Sequence, residues 1–442
     1  MSTMRVMKFG GTSVGNPQRI TEVGKLISDS TPKIVVLSAM SGTTNDLVTY
    51  SEFLYKKNSS QAKVFLESMR QKYHQVVADL FQSDEYRNKG LKMVDTHFDN
   101  LDEFNQDMFT QYEEKAVLAK GELISTALMY YHLNELGITC ALLPALNFMR
   151  IDKDQEPDNY YLQQNIKREI QQYPGIDLFI TQGFICRNAF GEIDNLKRGG
   201  SDYTASIIGA AIEADEIQIW TDIDGFHNND PRFVKHTDRI EHLSFNEAAE
   251  LAYFGAKILH PTSVQPAQEK NIPVRLKNTM EPESPGTLIT GTSTGSGIKA
   301  VAAKDGITAI RIKSDRMLLA FGFLRKVFEI FESHRTSIDM IATSEVSVSM
   351  TIDQTDQLEK IIRDLENYGT VEVVPDQTII CVVGDMIAES HGMAVQALEA
   401  LRMIPVRMIS YGSSNNNISL LIKSSDKIEA LNALSNHLFQ GR

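Results

Sequence analysis

The 442-residue chain is 42% hydrophobic and 23% charged, ordinary values for a globular protein and enough for two or three domains with large cores. Its net charge of −13 argues against nucleic acid as a bulk partner, so any anionic ligand needs a local basic cluster. Cys140, Cys186 and Cys381 are odd in number and far apart, which argues against a disulfide framework or a zinc site. No apolar run is long enough to span a bilayer and no signal-peptide h-region stands at the start, so the cytoplasm and no membrane partner are expected.

The chain opens on a short apolar run ending in Lys8, followed by Gly10, Gly11, Thr12 and Ser13, with a helix signal from Pro17. Paired glycines between a strand and a helix let backbone N–H groups approach an anion, and Lys8 adds charge at the strand tip. The segment reads as a phosphate cradle or as an ordinary Gly-Gly turn with an exposed lysine. It is not a Walker A loop, because the lysine precedes the glycines. Residues 33–38 form a β-branched run typical of a buried parallel strand, ending in the small-residue loop 39–45. Residues 46–133 are helical in period, with Gly90 as the main break, and strands are expected at 139–143, 178–181 and 216–220. Strands separated by helices imply a mainly parallel α/β sheet, whose ligands bind beyond the carboxyl ends of the strands. Lys8, the loop 38–45, Gly183-Phe184 and Thr221-Asp222 then converge on one edge.

A second cradle follows at Lys197-Arg198-Gly199-Gly200-Ser201-Asp202, just before a small-residue helix. Arg198 can fork onto a carboxylate. Asp202 either orients a lysine such as Lys8, engages a metal that bridges phosphates, or is a helix-start partner. Two anion cradles on one sheet suggest two anionic substrates that react together, as in phosphoryl transfer. A carboxylate acceptor, already ionised, needs no catalytic base.

After the Gly/Ser-rich stretch 291–297 the rhythm changes. Strands at 317–321, 337–343, 347–352 and 370–374 with helices at 324–333 and 357–367 give the ferredoxin-like βαββαβ order. A second unit, with strands at 378–384, 406–410 and 418–423 and helices at 393–401 and 427–438, lacks a strand. The spare strand 307–312 is expected to complete it, leaving the first unit (315–376) inserted within the second (305–314 plus 377–442). The rival arrangement makes 307–312 a simple connector.

Lys8-Phe9-Gly10-Gly11-Thr12-Ser13, Gly121-Glu122, Arg198-Gly199-Gly200-Ser201-Asp202, Thr221-Asp222, Asp230-Pro231-Arg232 and Phe254-Gly255-Ala256-Lys257 resemble, in order, the signature series of the aspartokinases. The tail is similar to their paired ACT domains, with the pattern of lysine-sensitive, monofunctional members. The resemblance implies an amino-acid-kinase three-layer fold over residues 1–297, with a mainly parallel sheet, and two ferredoxin-like ACT domains. It implies phosphorylation of the aspartate side-chain carboxylate by ATP with Mg²⁺, giving 4-phospho-L-aspartate, the first step of lysine, threonine and methionine biosynthesis. Lys8, Asp202 and Arg198 would be catalytic, Lys8 neutralising the transferring phosphoryl group and Asp202 holding it. Lys8, Gly10, Gly11, Ser38, Thr221, Asp222, His227, Arg232 and Lys257 would bind ATP, His227 standing where a tyrosine is usual. Thr44, Glu122, Phe184, Arg198 and Ser201 would bind aspartate, with Glu122 taking the ammonium. An exposed glutamate and a solvated lysine are the ordinary fates of Glu122 and Lys257. Met317, Phe323, Leu324, Ser337, Ile338, Asp339, Thr343, Ser344 and Glu345 would form an effector pocket, with Leu319 and Ala320 replacing a histidine and a serine often seen there. Lysine, a homodimer or dimer of dimers through the ACT domains, and no protein-held metal are the further implications.

Two other readings remain. A kinase of the same fold could take glutamate or an acylated glutamate, but an acylated substrate has no ammonium for Glu122. An amino-acid sensor on a silent kinase domain would not need Lys8, Arg198 and Asp202 together.

Overall fold

Lys33-Ile34-Val35-Val36-Leu37 is buried at every position, which a strand achieves only when both faces of its sheet are covered. The computed structural model describes residues 4–105, 108–196, 199–255, 258–293, 295, 297–314, 317, 321–385 and 387–439. They form two compact units, Met1–Gly225 with Leu259–Gly291, and Phe226–Ile258 with Thr292–Arg442. In chain order the first strands are β1 (Arg5–Phe9), β2 (Lys33–Leu37), β3 (Ala141–Leu143) and β4 (Leu178–Gln182). A hairpin of β5 (Ile185–Arg187) and β6 (Ile193–Asn195) and then β7 (Glu216–Thr221) follow. The short β8 (His242–Ser244) falls in the second unit, and β9 (Val274–Asn278) and β10 (Thr287–Thr290) return to the first.

Within the first unit the strand order is β3-β4-β2-β1-β7-β9-β10. All neighbours are parallel except β9 and β10. Lys8 lies opposite Val36 on one side and Ile219 on the other, and Val36 opposite Thr181. Gly10, Ser38, Gly183 and Asp222 therefore leave the sheet at one edge, as the strand–helix alternation predicts. The helices Pro17–Ile27, Thr43–Tyr55, Ser59–Leu80, Asp84–Glu103 and Lys120–Glu135 supply a helical layer whose core joins Phe9, Leu37, Tyr50, Tyr73 and Phe98. Gly90 does not break it. It lies inside Asp84–Glu103, where a Cβ would stand 2.9 Å from the Phe81 ring, so the glycine serves helix–helix contact.

In the second unit, Phe226–Ile258 packs with the C-terminal chain, although sequence reading set it in the first domain. Lys299 pairs with the fully buried Glu247 at 3.0 Å, Asn417 donates to Glu250, and a Cβ on Gly255 would collide with the Ala303 carbonyl oxygen. The sheet comprises β11 (Gly297–Lys313), β12 (Ile341–Thr343), β13 (Ser347–Ile352), β14 (Thr370–Asp385), β15 (Met408–Tyr411) and β16 (Asn417–Lys423), in the order β12-β13-β11-β14-β16-β15. The two long strands each serve two neighbourhoods. Thr308–Lys313 lies between β13 and the first half of β14, whereas the stretch from Gly297 to Lys304 pairs with the second half of β14, which in turn pairs with β16. The spare strand 307–312 thus pairs mainly with the half of β14 that goes with β13, and the residues immediately before it pair with the half of β14 that carries β16. Strand counting missed this because one strand runs on through the register shifts between Lys304 and Ala309, where Gly306 has φ +74°. The expected strand 317–321 falls largely outside the described residues.

Helices Phe323–Ser333 and Leu358–Glu366 cover one half of the sheet through Ile310, Val327, Phe331 and Ile361. Met393–Ala400 and Lys427–Leu438 cover the other through Ile380, Leu420 and Leu431. Among the described residues no helix is long and apolar enough to cross a membrane.

Candidate active site

The turns at the carboxyl edge of the first sheet are stitched together by backbone. Gly10 N–H donates to the Trp220 carbonyl at 3.2 Å, Ser41 N–H to Gly11 at 3.1 Å, and Gly183 N–H to Leu37 at 2.9 Å. A Cβ on Gly11 would lie 2.9 Å from the Ala39 carbonyl oxygen, so a side chain there would force the two turns apart. Between these turns lies a cavity of about 350 Å³. Of the residues expected to bind substrates, Gly11, Ser38, Thr44, Glu122, Phe184 and Ser201 line it.

Glu122 is the chemically unusual group. It sits in the first turn of Lys120–Glu135 and is only 4% exposed, not the exposed acid that glutamate usually is. Ala39 N–H donates to its Oε1 at 3.1 Å, while Oε2 is buried with no hydrogen-bond partner among the described residues. Burial pushes its carboxyl up to about 8, against the smaller opposing pull of the Ala39 N–H. A buried carboxylate with an oxygen unmet among the described residues is a receptor for a cationic group.

Lys8 and Asp202 form the second feature. Lys8 Nζ lies 2.6 Å from Asp202 Oδ1, both side chains largely buried. Asp202 stands in the first turn of Gly200–Ile212, a helix with no side-chain cap that begins at Gly199 with φ +76°. The ion pair is the arrangement that the lysine-orienting role requires. A Cβ on Gly10 would lie 3.4 Å from the Lys8 ammonium, so glycine keeps that ammonium open to the turn. Phe184 adopts φ +67°, a left-handed conformation costly for a bulky residue, held by its N–H donating to Thr204 Oγ1 at 2.9 Å. A Cβ on Gly183 would collide with Ser201 Oγ, which explains the glycine before it.

The remaining expected residues are distributed as follows. Thr221 ends β7 and Asp222 follows it, the Thr221 hydroxyl donating to the Asp222 carboxylate at 3.1 Å. His227 and Arg232 belong to the second unit, where the His227 ring meets Thr237 Oγ1 at 2.9 Å and Arg232 forks onto Asp230. Arg198, Lys257, Leu319 and Ala320 lie outside the described residues. Of the expected effector residues, Phe323, Met317 and Ile338 pack into the apolar core of the second unit. Leu324, Ser337, Thr343 and Glu345 are exposed, and Ser344 Oγ bonds Ser347 Oγ at 2.8 Å. Asp339 is already engaged: its Oδ1 receives Tyr253 OH and Lys304 Nζ, each at 2.7 Å, while Oδ2 is buried without a partner among the described residues.

Sequence reasoning overlooked three supports. Ser13 Oγ bonds Thr279 Oγ1 at 2.7 Å, Gln182 links Thr126 Oγ1 to the Ala145 N–H, and Tyr73 OH bonds Thr43 Oγ1 at 2.6 Å. Each joins residues far apart in the chain, and no local pattern marks the pairs.

The family model described as "Amino acid kinase family" matches residues 3–278, and an ACT-domain model matches residues 380–438. Lysine-sensitive aspartokinase 3 of Escherichia coli is 32% identical, with the whole of each chain covered. Chloroplastic aspartokinase 1 of Arabidopsis thaliana is 33% identical over 98% of this chain and 80% of its own length. The structure of E. coli aspartokinase III in complex with lysine and aspartate superposes with a TM-score of 0.83 at 31% identity, covering 99% of this chain and 100% of that one. Its complex with aspartate and ADP also gives 0.83, at 30% identity and the same coverage. The chain belongs to the amino acid kinase family and, within it, to the aspartokinases.

Proposed function

We propose that this protein transfers the γ-phosphoryl group of ATP to the side-chain carboxylate of L-aspartate, with the Glu122 cavity as the aspartate site. The observation that carries the site assignment is the buried, half-satisfied carboxylate of Glu122 in a cavity lined by Gly11 and Ser201, whose segments also carry the Lys8–Asp202 pair. An α-amino acid brings the ammonium that Glu122 lacks. Its two carboxylates call for donors, which Thr44, Ser201 and Arg198 supply, while Phe184 closes one wall. Lys8, held by Asp202, neutralises charge that grows on the transferring phosphoryl oxygens, and Gly10, Gly11 and Ser38 leave room for the phosphates. Thr221, Asp222, His227, Arg232 and Lys257 are assigned to the nucleotide. Magnesium prefers oxygen ligands and retains several waters. Among the described residues no group of three His, Cys, Asp or Glu could cage it. Entering as the ATP complex, the ion would screen the phosphate charge. The acceptor carboxylate attacks as the anion, so the residues position and neutralise instead of removing a proton.

Regulation is assigned to the ACT region, as a cytoplasmic homodimer or dimer of dimers inhibited by lysine. The buried Oδ2 of Asp339, left open while Oδ1 holds Lys304 and Tyr253, suits an incoming ammonium. The domain boundaries in this reading are 1–297 for the catalytic part, 315–376 for the inserted ACT domain and 377–442 for the other; of the strand residues 305–314 that strand counting gives to the last, Thr308–Lys313 goes with the inserted domain, and Gly297–Lys304 takes its place.

The test is hydroxamate formation with ATP and Mg²⁺ across aspartate, N-acetylaspartate, glutamate and acetylglutamate. Aspartate alone is turned over efficiently. Equal turnover of N-acetylaspartate would overturn the role of Glu122.

A further inference from the structure

The amino-terminal turn of Thr43–Tyr55 forms one wall of the cavity, through Gly42 and Thr44. That turn is poorly fastened by its own sequence. Gly42 precedes the helix at φ +84°, and no side chain caps the helix. The Thr43 N–H donates to the Met40 carbonyl at 3.0 Å, but without a side-chain cap the start lacks one of its usual fastenings. Two side chains from the neighbouring helix Ser59–Leu80 hold it instead. Lys72 Nζ pairs with Asp46 at 3.0 Å, but both groups are substantially solvated and such pairs contribute little. Tyr73 is different. Its side chain is fully enclosed, and its hydroxyl meets the buried Thr43 hydroxyl at 2.6 Å. Neither group can exchange this partner for water, so the bond fixes where the turn stands.

The same neighbourhood carries Glu122. A Cβ on Gly121 would stand 2.7 Å from the Ala39 Cβ and 3.4 Å from Thr43 Cγ2, so the backbone that presents Glu122 is pressed against both pocket turns. A shift of Thr43 therefore changes the distance between the Thr44 wall and the Glu122 floor.

We propose that Tyr73 is a positioning residue for the acceptor pocket: through its buried hydroxyl bond to Thr43 it sets the Gly42–Thr44 turn at the spacing that fits aspartate. This rests on the reading of the cavity as the aspartate site. Tyr73 touches no substrate; it acts through Thr43. The phenol is held neutral by burial, so its contribution is geometric and not one of charge.

The test compares hydroxyl deletions that are alike in size and differ in place. Tyr73→Phe raises the aspartate KM about fivefold, the factor that one buried neutral hydrogen bond is worth. The ATP KM and kcat stay within about twofold by the same argument, since neither depends on this wall. Thr43→Val gives the same change, Thr43→Ser keeps the wild-type KM, and the double variant Tyr73→Phe/Thr43→Val is no worse than either single one. Tyr50→Phe is the control. Tyr50 is equally buried and donates to the Leu101 carbonyl at 2.7 Å, away from the cavity, so it lowers Tm without moving the aspartate KM. Glu122→Gln is run alongside. If Glu122→Gln raises the aspartate KM while Tyr73→Phe and Thr43→Val do not, the positioning role is overturned and the pocket reading stands. If Glu122→Gln leaves it unchanged, the pocket reading falls, and this proposal with it. A parallel rise in aspartate and ATP KM in Tyr73→Phe also overturns it, because it marks a general loss of structure.

Discussion

Replacing Glu122 by glutamine isolates the most strongly perturbed group in the site. The carboxyl rises from an ordinary 4.5 to about 8 because it is buried with only one N–H donor. At 1.36 kcal/mol per unit the difference corresponds to about 5 kcal/mol of disfavoured ionisation in the free protein. At pH 7 such a group is about nine-tenths protonated. An aspartate ammonium arriving at Oε2 favours the charged form, so binding should expel close to one proton. Calorimetric titration of aspartate at pH 7 in buffers of different ionisation enthalpy counts that proton: about 0.9 per site is expected for the wild type and none for Glu122→Gln. The same shift acts on folding. The folded value lies above the unfolded one, so the native state holds more protons between about pH 4.5 and 8. The contribution to stability is complete below that window and is lost as pH rises through it. Urea titrations should therefore show Glu122→Gln gaining on the wild type from pH 5 to pH 8.5. Proton release that is equal in the two proteins, or a stability difference that does not change with pH, would refute the argument.

Lys8→Ala should lower kcat by about 100-fold or more with modest changes in either KM, since the charge matters most in the transition state; steady-state kinetics on the folded variant decide. Gly11→Ala should cost activity through the 2.9 Å approach to the Ala39 carbonyl oxygen, raising the KM for both substrates, with near-normal kinetics as the contrary result. Lysine should inhibit the wild type more strongly than threonine, and Asp339→Asn should weaken that inhibition; an unchanged lysine titration in Asp339→Asn removes Asp339 from the effector site. His97 is buried enough that its ring is pushed down to about 4, so it contributes stability that is present above about pH 6.5 and lost as pH falls toward 4. His97→Gln should flatten that acid limb in urea titrations between pH 4 and 7.

Local chemistry determined much of this protein. The β-branched run at residues 33–37, the glycine pairs after Phe9 and before Ser201, and the alternation of strand and helix are legible because each reflects backbone preference or burial within a few residues. They were enough to predict a parallel sheet with its turns on one edge, and the ordered motifs pointed to the family. Other features depended on residues distant in the chain. Gly90 looks like a helix break until Phe81 stands against it, and Glu122 looks like an exposed acid until Ala39 and the cavity turns bury it. The strand that completes the last unit could not be told from its continuation, because strand counting cannot see that Gly297–Lys313 is one strand that runs along the whole of β14 and gains β13 only in its second half. Asp339 was legible as an acid near an effector loop, but its pairing with Lys304 and Tyr253 was not. Periodicity and propensity report which face a residue turns inward. Only the packed chain decides what it meets there, and desolvation by that neighbour determines whether a charge is quenched, held or left waiting for a ligand.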